Sequence, residues 1–112
     1  MYIGEAAKKT GLSIKAIRFY EEKGLIVRPA RIGRYRVYKE IDIELLILIK
    51  EAKDLGITLS QLKGIIVYHN GKVDWAIIKS FLAEVRAQLI LQIDDLKKKI
   101  ASLDQCYEQI KP

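Results

Sequence analysis

Residues 13–38 read SIKAIRFYEEKGLIVRPARIGRYRVY, and this stretch decides the fold. It opens with the pattern of a short basic helix, for which Ser13 is a good N-cap residue and Gly24 a natural stop. Pro29 then breaks any helix, and Gly33 marks the bend of a tight hairpin in which Arg alternates with Tyr. The stretch therefore predicts a basic helix followed by a basic hairpin.

A first short helix precedes this stretch. We predict it from Ile3 to Thr10, with Gly11 as its stop, and residues 10–12 join it to the basic helix. In the basic helix, Ile14 and Ile17 are expected to point into a core. Two helices of this length form a helix-turn-helix unit, and the hairpin that follows is expected to be its wing.

The positive charge of the chain lies in its first third. Residues 1–40 contain ten Lys and Arg and four Asp and Glu, whereas residues 41–112 contain ten of each. The formal net charge of +6 therefore belongs to residues 1–40, which indicates a polyanion as partner.

No segment is apolar over the roughly 18 residues that a membrane helix needs, and the N-terminus lacks the apolar core of a signal peptide. A cytoplasmic protein with no membrane partner is expected.

Two further helices follow the hairpin. A helix over about residues 41–55 ends at Gly56, and residues 58–61 match a capping box that starts a short helix to about Val67. His69-Asn70-Gly71 is expected to be a turn. We assign residues 1–71 to a winged helix-turn-helix DNA-binding domain and residues 72–112 to a dimerisation helix.

The last third of the chain has the apolar spacing of a coiled coil. Apolar residues recur at steps of three and four from Ile78 to Ile110, with one irregular step near the middle. A helix this long cannot bury its seam on so small a head, so it needs a partner helix of equal length. Another copy of the same chain is the economical partner. The predicted dimer interface consists of Ile78, Leu82, Val85, Leu89, Ile93, Leu96, Ile100 and Leu103.

Three segments carry a resemblance to a known family. Residues 4–13 (GEAAKKTGLS), residues 16–25 (AIRFYEEKGL) and residues 33–38 (GRYRVY) resemble the MerR family of bacterial transcription regulators, and the similarity extends over almost the whole chain. The resemblance implies a winged helix-turn-helix homodimer joined by an antiparallel coiled coil. It also implies that the dimer binds a pseudo-palindromic operator in promoter spacer DNA, and bends and untwists it so that RNA polymerase can engage both promoter elements.

The candidate DNA contacts lie on the basic helix and the wing. Cationic side chains in such positions hold phosphates or reach base edges, and Tyr hydroxyls donate to phosphate. For Tyr38, packing inside the head is an equal alternative. The candidates are Ser13, Lys15, Arg18, Tyr20, Arg31, Arg34, Tyr35, Arg36 and Tyr38.

The sequence departs from the metal-sensing branch of the family that it resembles. Trp75 stands where those members have Cys or Ser, and the chain ends at Pro112, where their Cys-rich loop would begin. One Cys per chain is a poor site for a soft metal, so we expect no metal site and no cofactor. A possible effector region comprises Tyr68, Trp75, Phe81 and Cys106, with plain packing as the alternative.

Nothing in the sequence suggests an enzyme. We find no grouping of Ser, His and Asp, no Cys with His, no carboxylate pair and no phosphate-cradling Gly loop. The leading interpretation is a sequence-specific transcription regulator. The alternatives are an architectural DNA-bending protein without an effector, and a basic coiled-coil interaction protein that docks an acidic partner.

Overall fold

The computed structural model describes residues 1–27 and 29–112, which form a mostly helical protein. Within these residues, five helices and two small antiparallel hairpins divide into two compact units, Met1–Val73 and Asp74–Pro112. The winged helix-turn-helix class, with two further helices and a long C-terminal helix, is confirmed. The first unit extends two residues beyond the sequence-based boundary, because its last strand ends at Val73.

The first two helices are joined by a tightly bonded turn. Helix α1 is Ile3–Thr10 and helix α2 is Ile14–Glu22. The buried Thr10 hydroxyl donates to the Ala6 carbonyl at 2.9 Å and accepts from the Leu12 amide at 3.2 Å. Ser13 Oγ accepts from the Ala16 amide at 3.0 Å, which makes it the N-cap of α2 as predicted.

The wing consists of strands β1, Arg31–Ile32, and β2, Tyr35–Arg36, paired antiparallel. Gly33 supplies the positive φ, 64°, that this two-residue turn requires. The returning strand, β2, is short. It ends at Arg36, and Tyr38 instead exchanges two backbone hydrogen bonds with Met1, of 2.7 and 2.9 Å.

Helix α3 is Glu40–Asp54 and helix α4 is Leu59–Ile65. The predicted capping box is present: Thr58 Oγ1 accepts from the Gln61 amide at 3.1 Å, and Gln61 Oε1 accepts from the Thr58 amide at 2.9 Å. A second hairpin follows, of β3, Tyr68–His69, and β4, Lys72–Val73. Asn70 and Gly71 both adopt positive φ at its bend, as a type I′ turn demands.

The core of the first unit is built on one face of α3. Leu45, Leu46 and Ile49 are almost completely buried there. Other elements contribute apolar side chains that are equally buried: Ala6, Ile17, Leu25, Ile26, Tyr38 and Leu62. Because α1 and α2 each add buried residues to this core, α2 is held with its opposite face toward solvent.

The turn between α1 and α2 provides a stability test. Gly11 has φ 73°, and a Cβ placed there would lie 2.5 Å from Lys50 Nζ. Gly11→Ala is expected to lower the free energy of unfolding by about 1–2 kcal/mol, since a left-handed backbone strains any L side chain. Gly64→Ala is the matched control. It lies inside α4 with open space around it, so it should stabilise the protein by up to about 1 kcal/mol.

Urea unfolding followed by circular dichroism measures both substitutions. A Gly11→Ala variant as stable as the parent, or more stable, would contradict the geometry of the turn. The slope of the transition should be unchanged, because neither substitution alters the surface exposed on unfolding.

The second unit is the single long helix α5, Trp75–Gln109, capped by Asp74, whose Oδ1 accepts from the amides of Ala76 and Ile77. Ile78 is buried, and Leu82 and Val85 are half-buried. The later seam residues are open: Leu89, Ile93, Leu96, Ile100 and Leu103 are 42–66% exposed. In the part of the chain that the structure describes, no helix is long and apolar enough to cross a membrane.

Candidate nucleic-acid interface

The outer face of α2 is an open, mixed surface. Ile14, Lys15, Arg18, Phe19 and Glu22 line a depression of about 440 Å³ along it. Ile14 was expected in the core but is 39% exposed, and Phe19 is 42% exposed. The prediction for Ile14 was wrong because the buried side of this helix is formed by Ile17 and Glu21. An exposed helix face with two cations and two apolar side chains suits the major groove, where cations meet base acceptors and apolar groups meet thymine methyls.

A second feature joins α2 to the wing. Arg18, Arg34 and Arg36 line one small cavity of about 80 Å³, together with Tyr2, Ile3 and Tyr35. The rings of Tyr2 and Tyr35 lie 5.6 Å apart, and both residues are more than half exposed. Three arginines and two tyrosines that line one opening are the residue types that hold an anion of phosphate size.

A buried carboxylate pairs with one of the arginines that line this cavity. Glu21 is only 5% exposed, and its Oε1 lies 2.7 Å from Arg36 Nε in an ion pair. The Tyr38 hydroxyl donates to Glu21 Oε2 at 3.2 Å. The Glu21 carboxylate therefore contacts both Arg36, the last residue of the wing, and Tyr38, which follows the wing.

Tyr38 does not lie on the interface. It is 2% exposed, and its hydroxyl already donates to Glu21. Burial, followed by the negative charge of Glu21, raises the pKa of Tyr38 to about 12, so it stays protonated at neutral pH. The prediction of Tyr38 as a DNA contact was wrong, and the alternative of packing inside the head holds.

The remaining candidates vary in accessibility. Lys15 is exposed on α2, and Arg31 is exposed on β1, where it pairs in register with Arg36. Tyr20 is half-buried, with its ring 5.7 Å from that of Phe19. Ser13 is exposed, but its hydroxyl caps α2. These four residues remain candidate DNA contacts on α2 and the wing.

The suggested effector residues belong to different units. Tyr68 lines a cavity of about 170 Å³ in the first unit, whose wall includes Lys39 and Asp42. Burial raises the pKa of both Tyr68 and Asp42. Trp75, Phe81 and Cys106 all lie on α5.

Spacing along α5 separates Cys106 from the other two. At 1.5 Å per residue, Cys106 is about 45 Å from Trp75, so these two side chains cannot share a site within one chain. Cys106 is exposed.

Among residues 1–27 and 29–112, no group of three or more His, Cys, Asp or Glu could hold a metal ion.

Comparison with known proteins identifies this arrangement. The family described as MerR HTH family regulatory protein matches residues 1–68. The chain belongs to the MerR family. It is a transcription regulator of the MerR type, as the three resembling segments predicted.

Named MerR-family proteins cover most of the chain. The regulator CueR of Yersinia pestis is 37% identical over 107 residues, which are 94% of this chain and 72% of CueR. PbrR691 of Ralstonia metallidurans CH34, solved in complex with lead(II), is 27% identical, with a TM-score of 0.55 over 94% of this chain and 86% of that one. HiNmlR, a MerR-family regulator lacking the sensor domain, was solved bound to promoter DNA. It shares the fold at 22% identity, with a TM-score of 0.56 over 96% of this chain and 78% of its own.

Five residues of this surface were not among the predicted contacts: Tyr2, Ile3, Ile14, Phe19 and Glu22. Tyr2 reaches the wing because Met1 pairs with Tyr38, a contact between residues far apart in sequence that no local pattern reveals. Phe19 could have been found, since it lies four residues after Lys15, on the same side of a helix.

Proposed function

We propose that this MerR-type regulator acts in the cytoplasm as a homodimer on a pseudo-palindromic operator within promoter spacer DNA. Each α2 enters the major groove, each wing holds the adjacent backbone, and the dimer bends and untwists the spacer so that RNA polymerase engages both promoter elements. The observation that carries the proposal is the cavity that brings Arg18 of α2 beside Arg34 and Arg36 of the wing.

The α2 surface supports base reading. Lys15 lies in the first turn of α2, the part of a recognition helix that meets base edges in helix-turn-helix proteins. Ile14 and Phe19 flank it and present apolar surface to the groove floor. The wing adds phosphate contacts that fix the register of α2 without reading sequence.

The exposed seam of α5 supports the dimer. Its apolar side chains repeat with a heptad spacing along a helix of about 50 Å. Burying one such Leu or Ile contributes about 1.5–3 kcal/mol, so several pairs from two chains supply the stability of a dimer. Two heads joined in this way meet two half-sites, which accounts for the expected symmetry of the operator.

Selection from a random duplex library tests the proposal. The protein should enrich a two-fold symmetric sequence, and its affinity should fall linearly with the logarithm of salt concentration, with a slope near −0.9 per phosphate contact. An architectural protein would show the salt dependence without enrichment. A protein that docks an acidic partner would show neither a preferred duplex nor tight binding at physiological salt.

Metal titration tests the expectation about the effector. Relatives of this chain are named as CueR and as heavy metal-dependent regulators, yet the sequence holds one Cys, and Trp75 begins α5. A tight site for copper(I) or zinc needs at least two well-placed soft ligands. We expect no submicromolar binding to the reduced dimer under a competing chelator. Tight binding that disappears in Cys106→Ser would contradict this expectation.

A further inference from the structure

We infer that Glu21 is a positioning residue that fixes the wing relative to the recognition helix α2, and so sets the spacing between base contacts and phosphate contacts. This inference rests on the proposed function. Glu21 lies one helical turn from Arg18, on the inner side of α2, where it is 5% exposed. Because it is buried there, it acts on DNA binding through the residues that it holds.

Two contacts of Glu21 reach the wing and the segment that follows it. Oε1 pairs with Arg36 Nε at 2.7 Å at the end of β2, and Oε2 accepts from the Tyr38 hydroxyl at 3.2 Å. Because the wing is a two-stranded hairpin of two residues per strand, it has too few hydrogen bonds to fix its own direction. A charged contact from α2 to its base supplies that direction.

Because of its ion pair with Glu21, Arg36 has a different role from Arg34 and Arg18. Arg36 is half-buried, and its Nε faces Glu21, whereas Arg34 at the turn is exposed. Arg36 is therefore held in an ion pair with Glu21 and also lines the cavity that it shares with Arg18. Arg34 then meets a phosphate, and Arg18, which also lines the α2 depression, lies between the phosphate contacts and the base contacts.

Charge alone and positioning predict opposite signs for one substitution. Glu21→Gln adds one positive charge to each subunit and keeps the shape of the side chain. If Glu21 acted only through its charge, the variant would bind DNA more tightly, since a carboxylate near the interface repels phosphates. If it positions the wing, the variant binds more weakly, because the wing no longer reaches its phosphates.

We expect Glu21→Gln to weaken operator binding roughly ten- to a hundredfold, because the ion pair with Arg36 is lost and the hydrogen bond from Tyr38 no longer goes to a charged group. The magnitude of the salt slope should also fall, by about 0.9 for each phosphate that the wing no longer neutralises. Glu51→Gln is the matched control, since it removes the same charge from an exposed position of α3 that lines neither the α2 depression nor the cavity at the wing. It should bind any duplex slightly more tightly, with the salt slope kept.

A double-substitution cycle tests whether Glu21 acts through the wing. In the parent, Arg34→Ala should weaken binding. In the Glu21→Gln background it should cost little more, because a displaced wing no longer brings Arg34 to its phosphate. Additive losses would mean that Glu21 does not act through the wing.

The experiment is fluorescence anisotropy of the dimer of this chain on the selected operator across a salt series, with melting curves for every variant. Weaker Glu21→Gln binding with a reduced salt slope and non-additivity with Arg34→Ala supports the inference. Binding equal to or tighter than the parent overturns it. If Glu21→Gln melts below the assay temperature, Tyr38→Phe decides: weaker binding with a reduced slope supports the inference, and parent-like binding overturns it. Failure of the parent itself to bind any duplex would overturn the proposed function and this inference with it.

Discussion

Replacing Leu96 and Ile100 together by glutamate will convert the dimer into monomers and abolish operator binding. Both residues lie on the exposed seam of α5, at 57% and 58% exposure in the single chain. Burial of each is worth about 1.5–3 kcal/mol, and four such side chains are removed per dimer. Since a nanomolar dimer is held by about 12 kcal/mol, this change moves dissociation far above micromolar concentration.

The matched control is the pair Ala87→Glu and Leu91→Glu. Both residues are exposed, they are also four apart on α5, and the added charge is the same. Leu91 is 60% exposed, like the seam residues, but at 100° per residue it lies about 140–180° around the helix from Leu96 and Ile100. This variant should remain a dimer that binds DNA.

Light scattering at micromolar concentration, together with binding to the selected duplex, measures both variants. A monomeric parent protein would contradict the dimer directly. Dissociation of both variants alike would mean that added charge, and not the seam, controls association.

Arg18→Ala should have the largest effect of any single substitution on operator affinity. Arg18 lines both the α2 depression and the cavity at the wing, so it borders base contacts and phosphate contacts alike. Its removal should cost about 1–3 kcal/mol in each half-site and relax discrimination at one base pair of each.

Two further substitutions separate the effect of losing a charge from the effect of losing a base contact. Arg18→Lys keeps the charge but not the planar fork, so it should retain phosphate attraction and lose base discrimination. Lys63→Ala removes one exposed cation from α4 and should leave specificity unchanged. Competition between the selected duplex and single-base variants measures discrimination. Parent-like binding and specificity of Arg18→Ala would place the interface elsewhere.

Local chemistry explains why most of the helices could be predicted from the sequence. Ser13, Thr58 and the glycines at 11, 24 and 56 end or begin helices through their own hydroxyls or positive φ values. The sequence predicted only a turn at residues 69–71, where the structure has a hairpin. Asn70-Gly71 is a strong hairpin signal, but strands of two residues are too short to show the alternation that predicts a strand.

The arrangement of the interface could be predicted only in part. The basic residues of α2 and the wing are evident from charge, and the structure brings Arg18, Arg34, Tyr35 and Arg36 together. Their division of roles is not evident, because Glu21 and Tyr38 are 17 residues apart and meet only when the wing folds back onto α2. Tyr38 was a candidate DNA contact next to Arg36, but the strand ends at Arg36, and Tyr38 turns into the core.

A hydroxyl-radical footprint on the selected duplex tests the central claim most directly, because it shows where both heads lie on the DNA. We predict two protected regions related by a two-fold axis, with centres about 34 Å apart or at a multiple of that spacing. Enhanced cleavage between them would mark the distorted spacer. With Arg34→Ala, protection should shrink at the outer edge of each region, where the wing lies. A single asymmetric region, or uniform protection along the duplex, would contradict a dimer that holds two half-sites with α2 and the wing.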